Sequence, residues 1–262
     1  MNEKIELISI HIPKCGGTNF RDILQMHYRN VPHLNDLKTQ DQCMHGHFII
    51  TPELLQEYPN AKICTWIRHP IDRIISYYYS WKLNKSYGKN FNKKRFIEED
   101  MSIVEFVEAD FMQNEMFKYI DQISLDDFDF IGCLEKYPQD IVKFLEIMGW
   151  KTTNEKKSLG DTIYNLRSAR RIFGTKDGDI SIPIVINRKN NVNRKKRIEE
   201  ITEKEYKRLY KVLECDIDKY NYIRVNYCGH DTDTRYKQYK TKVSLSMFSR
   251  IKAIFVVANP AN

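Results

Sequence analysis

The fold is decided by the stretch IELISIHIPKCGGTNF, residues 5–20, near the start of the chain. Its first half, residues 5–12, is a run of β-branched and apolar residues with the length of a strand, and Pro13 ends it. Two glycines, Gly16 and Gly17, follow, and after them apolar residues recur at the spacing of a helix. The stretch therefore predicts a strand, a glycine loop and a helix, in that order.

Similar units recur along the chain. We expect a strand over residues 61–67 with a helix over 71–81, a second pair over 128–132 and 141–148, and a last helix over 202–220. The last helix begins with a threonine followed three residues later by a glutamate, the pattern of a capping box. Strands that alternate with helices indicate the α/β class, with a mostly parallel central sheet flanked by helices.

The composition is that of a globular protein. Of the 262 residues, 42% are hydrophobic and 12% are aromatic, which excludes a mainly disordered chain. There are 42 lysines and arginines against 35 aspartates and glutamates, so the net charge is +7. This excess favours an anionic partner: nucleic acid, a phosphate-bearing cofactor, an anionic sugar or a membrane surface. The charge alone does not choose among them.

The N-terminus shows no export signal, because its apolar run is short and is broken by His11 and Lys14. The six cysteines form no CxxC pair, which is typical of reduced thiols. We therefore expect a cytoplasmic protein. The pattern of strands and helices divides the chain into a main domain over 1–229 and a tail over 230–262. The apolar run 251–257 in the tail is too short to span a bilayer, but it can dock, bind a partner or lie on a membrane surface.

The glycine loop after the first strand has the chemistry of a phosphate-binding site. Glycines let backbone N–H groups approach an anion, the N-terminus of the following helix adds partial positive charge, and Lys14 and Thr18 add side-chain donors. It is not a Walker A loop, because its lysine precedes the glycines. An ordinary turn between strand and helix is the alternative. The candidate ligand-binding residues of this loop are Lys14, Cys15, Gly16, Gly17, Thr18 and Asn19.

A second candidate anion site follows the strand expected over residues 61–67. Arg68 lies at the carboxyl end of that strand, and Ser76 lies just over two helical turns later, on nearly the same side of the helix. Ligands of α/β sheets bind at the carboxyl ends of the strands, where both loops are expected. The two side chains can therefore bind a second phosphate. The alternative is that both are solvated surface residues.

Between the two loops lies the triplet His45, Gly46, His47. A neutral imidazole is a suitable base near pH 7, and two histidines two residues apart share one face of an extended segment. Together with Cys43 they can also ligate a metal ion, although no further ligand pair at a suitable spacing is visible. A purely structural pair is the third interpretation.

These segments resemble those of sulfotransferases, enzymes that use PAPS (3′-phosphoadenosine 5′-phosphosulfate). Residues 11–18 are similar to the loop that binds the 5′-phosphosulfate, and residues 67–77 are similar to the segment that binds the 3′-phosphate. The His-Gly-His triplet and the Arg-x-Pro-Ile-x-Arg segment that ends in three tyrosines are especially similar to the heparan sulfate and uronyl 2-O-sulfotransferases. The resemblance covers residues 5–135 well and implies the P-loop-NTPase-like sulfotransferase fold, with residues 1–229 as the catalytic domain.

The resemblance also implies roles for individual residues. His47 is the base that takes the proton of the acceptor hydroxyl, with His45 beside it, and Lys14 stabilises the charge that develops on the bridging oxygen. A basic loop before the last helix closes over the nucleotide in the family. The implied nucleotide-binding residues outside the glycine loop are Arg68, Ser76, Arg188 and Lys189, and the implied substrate-binding residues are Asp22 and Arg73. No metal is expected, because the lysine, the arginine and the helix N-terminus already meet the charge of PAPS.

The function expected from the sequence is transfer of the sulfuryl group from PAPS to a hydroxyl of a carbohydrate, which can be acidic, with PAP as the product. The carbohydrate can be a glycan, a glycolipid or a saccharide precursor. A protein tyrosine or a small-molecule alcohol is the alternative acceptor. A basic nucleic-acid-binding protein is the non-enzymatic alternative, but the sequence shows no helix-turn-helix, no zinc pattern and no interleaving of aromatic and basic residues.

Overall fold

The computed structural model describes residues 5–38, 41–84, 86, 88, 90–150 and 200–234. Its strands are β1 (Leu7–Ile10), β2 (Cys43–Gly46), β3 (Lys62–Ile67) and β4 (Phe130–Cys133). Its α-helices are α1 (Gly17–His27), α2 (Pro52–Glu57), α3 (Pro70–Leu83), α4 (Phe91–Glu98), α5 (Ile103–Glu108), α6 (Tyr137–Ile147), α7 (Glu203–Val212) and α8 (Glu214–Asn226).

The four strands of the described residues form one parallel sheet in the order β2-β1-β3-β4. The predicted α/β architecture, a parallel sheet flanked by helices, is confirmed. Each of the strands predicted over residues 5–12, 61–67 and 128–132 is present, as β1, β3 and β4. Every residue of β1, β2 and β4 is buried, as expected for parallel strands covered on both faces.

Strand β1 occupies the position that creates the ligand crevice. Leu7 pairs with Cys43 of β2 on one edge and with Lys62 of β3 on the other. The chain leaves β1 toward β2 and then crosses to β3, so the direction of winding reverses between β1 and β3. Ligands of open α/β sheets bind where such a reversal brings two carboxyl ends together. The loops that follow β1 and β3 meet at this point.

Two hydrophobic clusters stabilise the fold. The first packs the sheet against α1, α6 and α8, with Phe20, Phe144 and Tyr220 among its fully buried side chains. The second joins α3, α4, α5 and α7 through a group of aromatic rings that includes Trp81 and Phe106. The ring of Phe106 contacts the ring of Trp81 edge to face, with 5.4 Å between the centroids. The second cluster fixes α3, which begins directly after the β3 loop.

The last helix differs from its prediction. The capping box at Thr202 is present, since its side chain accepts from the N–H of Glu205 and the Glu205 carboxylate accepts from the N–H of Thr202. The single helix predicted over 202–220 is wrong, because Leu213 leaves helical geometry (φ −95°, ψ 10°) and separates α7 from α8. The break lets Leu209 pack in the second cluster while Tyr220 packs against the sheet.

Four elements, β2, α2, α4 and α5, were not predicted from the sequence. Strand β2 carries a histidine and a glycine within four residues, so it lacks the apolar run of a buried strand. Helix α4 begins within the polar stretch 82–95, whose composition is typical of an exposed connection, and the Asn90 side chain caps it by accepting from the N–H of Lys93. Within the described residues, no helix has the length and hydropathy needed to cross a membrane. The C-terminal part of the predicted tail, residues 235–262, lies outside the described residues.

The second cluster predicts a large difference between two phenylalanines. Phe106→Ala removes a fully buried ring and should lower the free energy of unfolding by about 3–5 kcal/mol. Phe91→Ala, at a side chain that is 83% exposed, should change it by less than about 0.5 kcal/mol. Urea denaturation followed by circular dichroism measures both values. Equal losses would contradict the placement of the two rings.

Candidate active site

The loop between β1 and α1 has an unusual backbone. Lys14 has a left-handed φ of 68°, and Gly16 has a φ of 91° at the N-cap of α1. A side chain at position 16 would be strained by this φ, and its Cβ atom would lie 2.6 Å from Cδ1 of Leu134, so that leucine would also have to move. Since Gly16 has no side chain to cap the helix, the first N–H groups of α1 are directed into the loop. This backbone can bind an anion as the sequence predicts.

Two arginines from the second unit hold the loop from the β3 side. Nη1 of Arg68 donates to the carbonyl of Lys14 at 3.1 Å, and Nε of Arg73 donates to the carbonyl of Pro13 at 3.1 Å. The guanidinium of Arg68 carries five N–H donors, so it can hold the loop and an anion at the same time. The structure thus brings the two predicted anion-binding segments together.

Arg73 lies in different surroundings from those expected of a substrate-binding residue. Its side chain is 2% exposed and forms an ion pair with Glu115, which is 4% exposed. The guanidinium also lies over the ring of Tyr77, 5.5 Å from its centroid. Its donors are directed at the glycine loop and at a buried carboxylate, so its place in the fold is that of a support beneath the loop.

His45 is buried and fully hydrogen-bonded. The carbonyl of Gly17 can only accept, so Nε2 of His45 carries the proton and donates to it at 3.1 Å. Nδ1 therefore accepts from the hydroxyl of Ser9 at 2.8 Å. Burial lowers the pKa of His45 to about 3. His45 is thus a neutral link between β1, β2 and the start of α1, with no ring nitrogen left for a proton transfer or a metal ion.

His47 follows β2 and has an exposed side chain. Nδ1 lies 2.5 Å from the carbonyl of His11, so Nδ1 carries the proton and Nε2 has the lone pair. Partial desolvation of the ring lowers the pKa of His47, and this effect exceeds the opposing effect of the hydrogen bond to His11. His47 is therefore neutral at pH 7, and Nε2 is able to accept a proton.

The other predicted residues lie around this centre. Thr18 is exposed and Asn19 is half-buried in the first turn of α1, and Ser76 is half-buried on α3. Asp22 is half-buried one turn further along α1, and its carboxylate, together with the larger effect of burial, raises the pKa of Tyr137. Cys15 is fully buried, and burial raises its pKa to about 12, so its thiol is a packing group. Arg188 and Lys189 lie outside the described residues.

Sequence reasoning missed three residues of the site. His11 accepts from His47 and stacks on it, Glu115 pairs with Arg73, and Glu135 accepts from the N–H of His69 at 2.9 Å and from the hydroxyl of Tyr220 at 3.0 Å. His11 stands inside the decisive stretch, but the two glutamates carry no motif. Among the described residues, no three histidine, cysteine, aspartate or glutamate side chains are placed to hold a metal ion.

The buried ion pair beneath the loop gives a stability prediction. Glu115→Ala leaves the guanidinium of Arg73 buried without its carboxylate, which should lower the free energy of unfolding by about 3–5 kcal/mol. Glu98→Ala is the matched control, because Glu98 and Lys94 form an exposed pair 3.7 Å apart on α4 whose loss should cost less than about 0.5 kcal/mol. Urea titration of both variants makes the comparison. If Glu115→Ala changes the free energy of unfolding only slightly, the ion pair does not stabilise the loop.

Comparison with known proteins identifies the family. No curated protein matches this chain. Among solved structures, mouse sulfotransferase SULT7A1 complexed with PAP is similar with a TM-score of 0.46 at 13% sequence identity, over 85% of this chain and 87% of that chain. The family model described as "Sulfotransferase family" matches residues 1–223. Since this is most of the 262 residues, the chain belongs to the sulfotransferase family.

Proposed function

We propose that this sulfotransferase moves the sulfuryl group of PAPS to a hydroxyl of a carbohydrate, with His47 as the general base. The observation that carries the proposal is the hydrogen bond from Nδ1 of His47 to the carbonyl of His11. It leaves Nε2 unprotonated on an exposed side chain at the carboxyl edge of the sheet. A base in this tautomer, next to an anion-binding loop, is suited to activate a hydroxyl.

The proposed binding of PAPS is supported by the positive groups that lie between β1 and β3, where the direction of winding reverses. The loop after β1 offers the first N–H groups of α1 and the side chain of Lys14, and the turn after β3 offers Arg68. We assign the 5′-phosphosulfate to the first group and the 3′-phosphate to Arg68 and Ser76. These positive groups meet the charge of PAPS, so the proposed reaction needs no metal ion. Arg188 and Lys189 are proposed to close over the nucleotide.

The proposed reaction proceeds in line. Nε2 of His47 takes the proton of the acceptor hydroxyl, and the oxygen attacks sulfur while the bond from sulfur to the bridging phosphate oxygen breaks. Lys14 stabilises the negative charge that this oxygen gains, and PAP leaves. His45 acts through its neighbours, because its ring fixes the carbonyl of Gly17 and the hydroxyl of Ser9 and leaves the proton transfer to His47.

The carbohydrate acceptor is proposed from the resemblance to the heparan sulfate and uronyl 2-O-sulfotransferases. The exposed base lies at the end of β2, and Asp22 on α1 is the proposed contact to the acceptor. Arg73, which the sequence suggested as a second contact, is assigned here to support of the loop, because it is buried against Glu115. We further propose a cytoplasmic location, so that the acceptor is an intracellular glycan precursor, glycolipid or saccharide.

Removal of either reacting side chain should abolish the transfer of labelled sulfate from PAPS. We expect a loss of about 10²–10⁴-fold for His47→Ala, because the base is gone, and of about 10²–10³-fold for Lys14→Ala. PAP binding, measured by calorimetry, should be retained in His47→Ala. His27→Ala is the control, since His27 is an exposed histidine at the other end of α1. Full activity of both site variants would refute the proposed mechanism.

The acceptor class is tested with a panel. Labelled PAPS is offered with uronic acid saccharides, neutral saccharides, glycolipids, a tyrosine peptide and a small phenol, and product formation is compared at equal concentration. We expect at least one carbohydrate to accept sulfate faster than the peptide and the phenol. Transfer to the tyrosine peptide or the phenol alone would replace the carbohydrate in the proposal and leave the donor chemistry unchanged.

A further inference from the structure

We propose that His11 is the positioning residue of the base: its carbonyl sets the tautomer of His47, and its ring sets the orientation of His47. The inference rests on the proposed role of His47 as the general base. It adds a residue that the sequence motif did not mark as functional, and it explains how an exposed histidine keeps one orientation.

The imidazole rings of His45, His11 and His47 form a stack. The ring of His11 lies between His45 and His47, with centroid distances of 5.0 Å to His45 and 4.1 Å to His47 and interplanar angles of 19° and 28°. His45 is fixed by hydrogen bonds at both of its ring nitrogens, since Nε2 donates to the carbonyl of Gly17 and Nδ1 accepts from the hydroxyl of Ser9. Because the ring of His11 packs against the fixed ring of His45, it can hold the exposed ring of His47 in a defined position.

His11 contacts His47 in two ways, through its carbonyl and through its ring. The carbonyl of His11 accepts from Nδ1 at 2.5 Å, while the ring of the same residue covers one face of the His47 ring. A hydrogen bond alone leaves the imidazole free to rotate about the line to its acceptor. The stacked ring removes that rotation, so Nε2 is held in one direction.

The ring of His11 also packs against the first residue of α1. A Cβ atom at Gly17 would lie 2.0 Å from Cδ2 and 2.2 Å from Nε2 of His11, so the ring occupies the space that a side chain at position 17 would need. Gly17 is also the first residue of α1. The ring that orients the base thus rests on the backbone that forms the anion-binding loop, which couples the two halves of the site.

The charges around the stack favour neutral rings. Burial, with smaller electrostatic effects from the neighbouring histidines and from Lys14 and Arg21, lowers the pKa of His11 to about 2, so this ring stays neutral throughout the working range. His11 therefore desolvates His47 without competing for its proton. The titratable and charged groups that face these two rings are His33 after α1, His45 on β2, Arg21 on α1 and Lys14 in the loop.

The test begins with the wild-type protein. Nitrogen-15 NMR of the histidine rings should show His47 as the Nδ1–H tautomer with a pKa below 6.5, the ordinary value for histidine. The Nε2–H tautomer would overturn the inference without the need for any variant. His47→Ala identifies the resonances and, in the sulfate-transfer assay, tests the proposed function separately.

Two variants of His11 then test whether a stacking ring, with or without imidazole nitrogens, is what orients His47. In His11→Ala the ring of His47 is more hydrated and rotates more freely. Its pKa should therefore rise toward 6.5, and the acidic limb of the pH profile of kcat/KM should move to higher pH. We expect kcat to fall by about tenfold to a hundredfold, with PAP affinity unchanged. In His11→Phe, which keeps a stacking ring, the pKa of His47 and the acidic limb should stay close to wild type.

The outcomes are distinct. An unchanged His47 pKa and acidic limb in His11→Ala, or equal behaviour of the alanine and phenylalanine variants, would overturn the positioning role. If His47→Ala still transfers sulfate, the proposed base is wrong, whatever the NMR shows. Retained PAP binding and a wild-type circular dichroism spectrum establish that each variant is folded.

Discussion

A parallel sheet places the carboxyl ends of all its strands at one edge, and this constraint governs the site. Strand β1 is paired on both of its edges, so the loop that leaves it has β2 and β3 as fixed neighbours. The anion-binding backbone follows β1, the candidate base follows β2 and the arginine follows β3. The buried hydroxyl of Ser9 needs a partner, and its hydrogen bond to His45 ties the middle of the sheet to the base region. The order of the strands therefore brings the groups of the candidate site together.

The loop after β1 is held in a conformation that it would not adopt alone. A left-handed lysine costs about 1–3 kcal/mol, and Lys14 is in that region. Hydrogen bonds from charged donors contribute about 1.5–3 kcal/mol each, and the carbonyls of Pro13 and Lys14 receive one each from Arg73 and Arg68. These two bonds are enough to offset the strain. The loop is therefore shaped in advance of any ligand, and binding does not have to order it.

The sequence was sufficient for the elements with strong apolar periodicity. It predicted β1, β3, β4 and the loops after β1 and β3, because local patterns specify them. It did not predict β2, which is a strand because it pairs with β1. It also did not predict the break at Leu213, which lets the two helices on either side pack in separate hydrophobic clusters. The spacing also places Arg73 on a helix face but does not show that it is buried, so its ion pair with Glu115 could not be predicted. The tautomer of His47, the candidate base, depends on a main-chain carbonyl, which no side-chain motif encodes.

The contact between His11 and Gly17 has a consequence for the history of the sequence. The ring at position 11 fills the space that any side chain at position 17 would require. Position 17 therefore cannot gain a side chain while the ring at position 11 keeps its place, so a methyl group at position 17 requires the ring to move or to be replaced by a smaller residue. Relatives that share this geometry should show the two positions changing together, as a covarying pair six residues apart. A sequence with a larger residue at position 17 and a small one at position 11 must orient its base by other means.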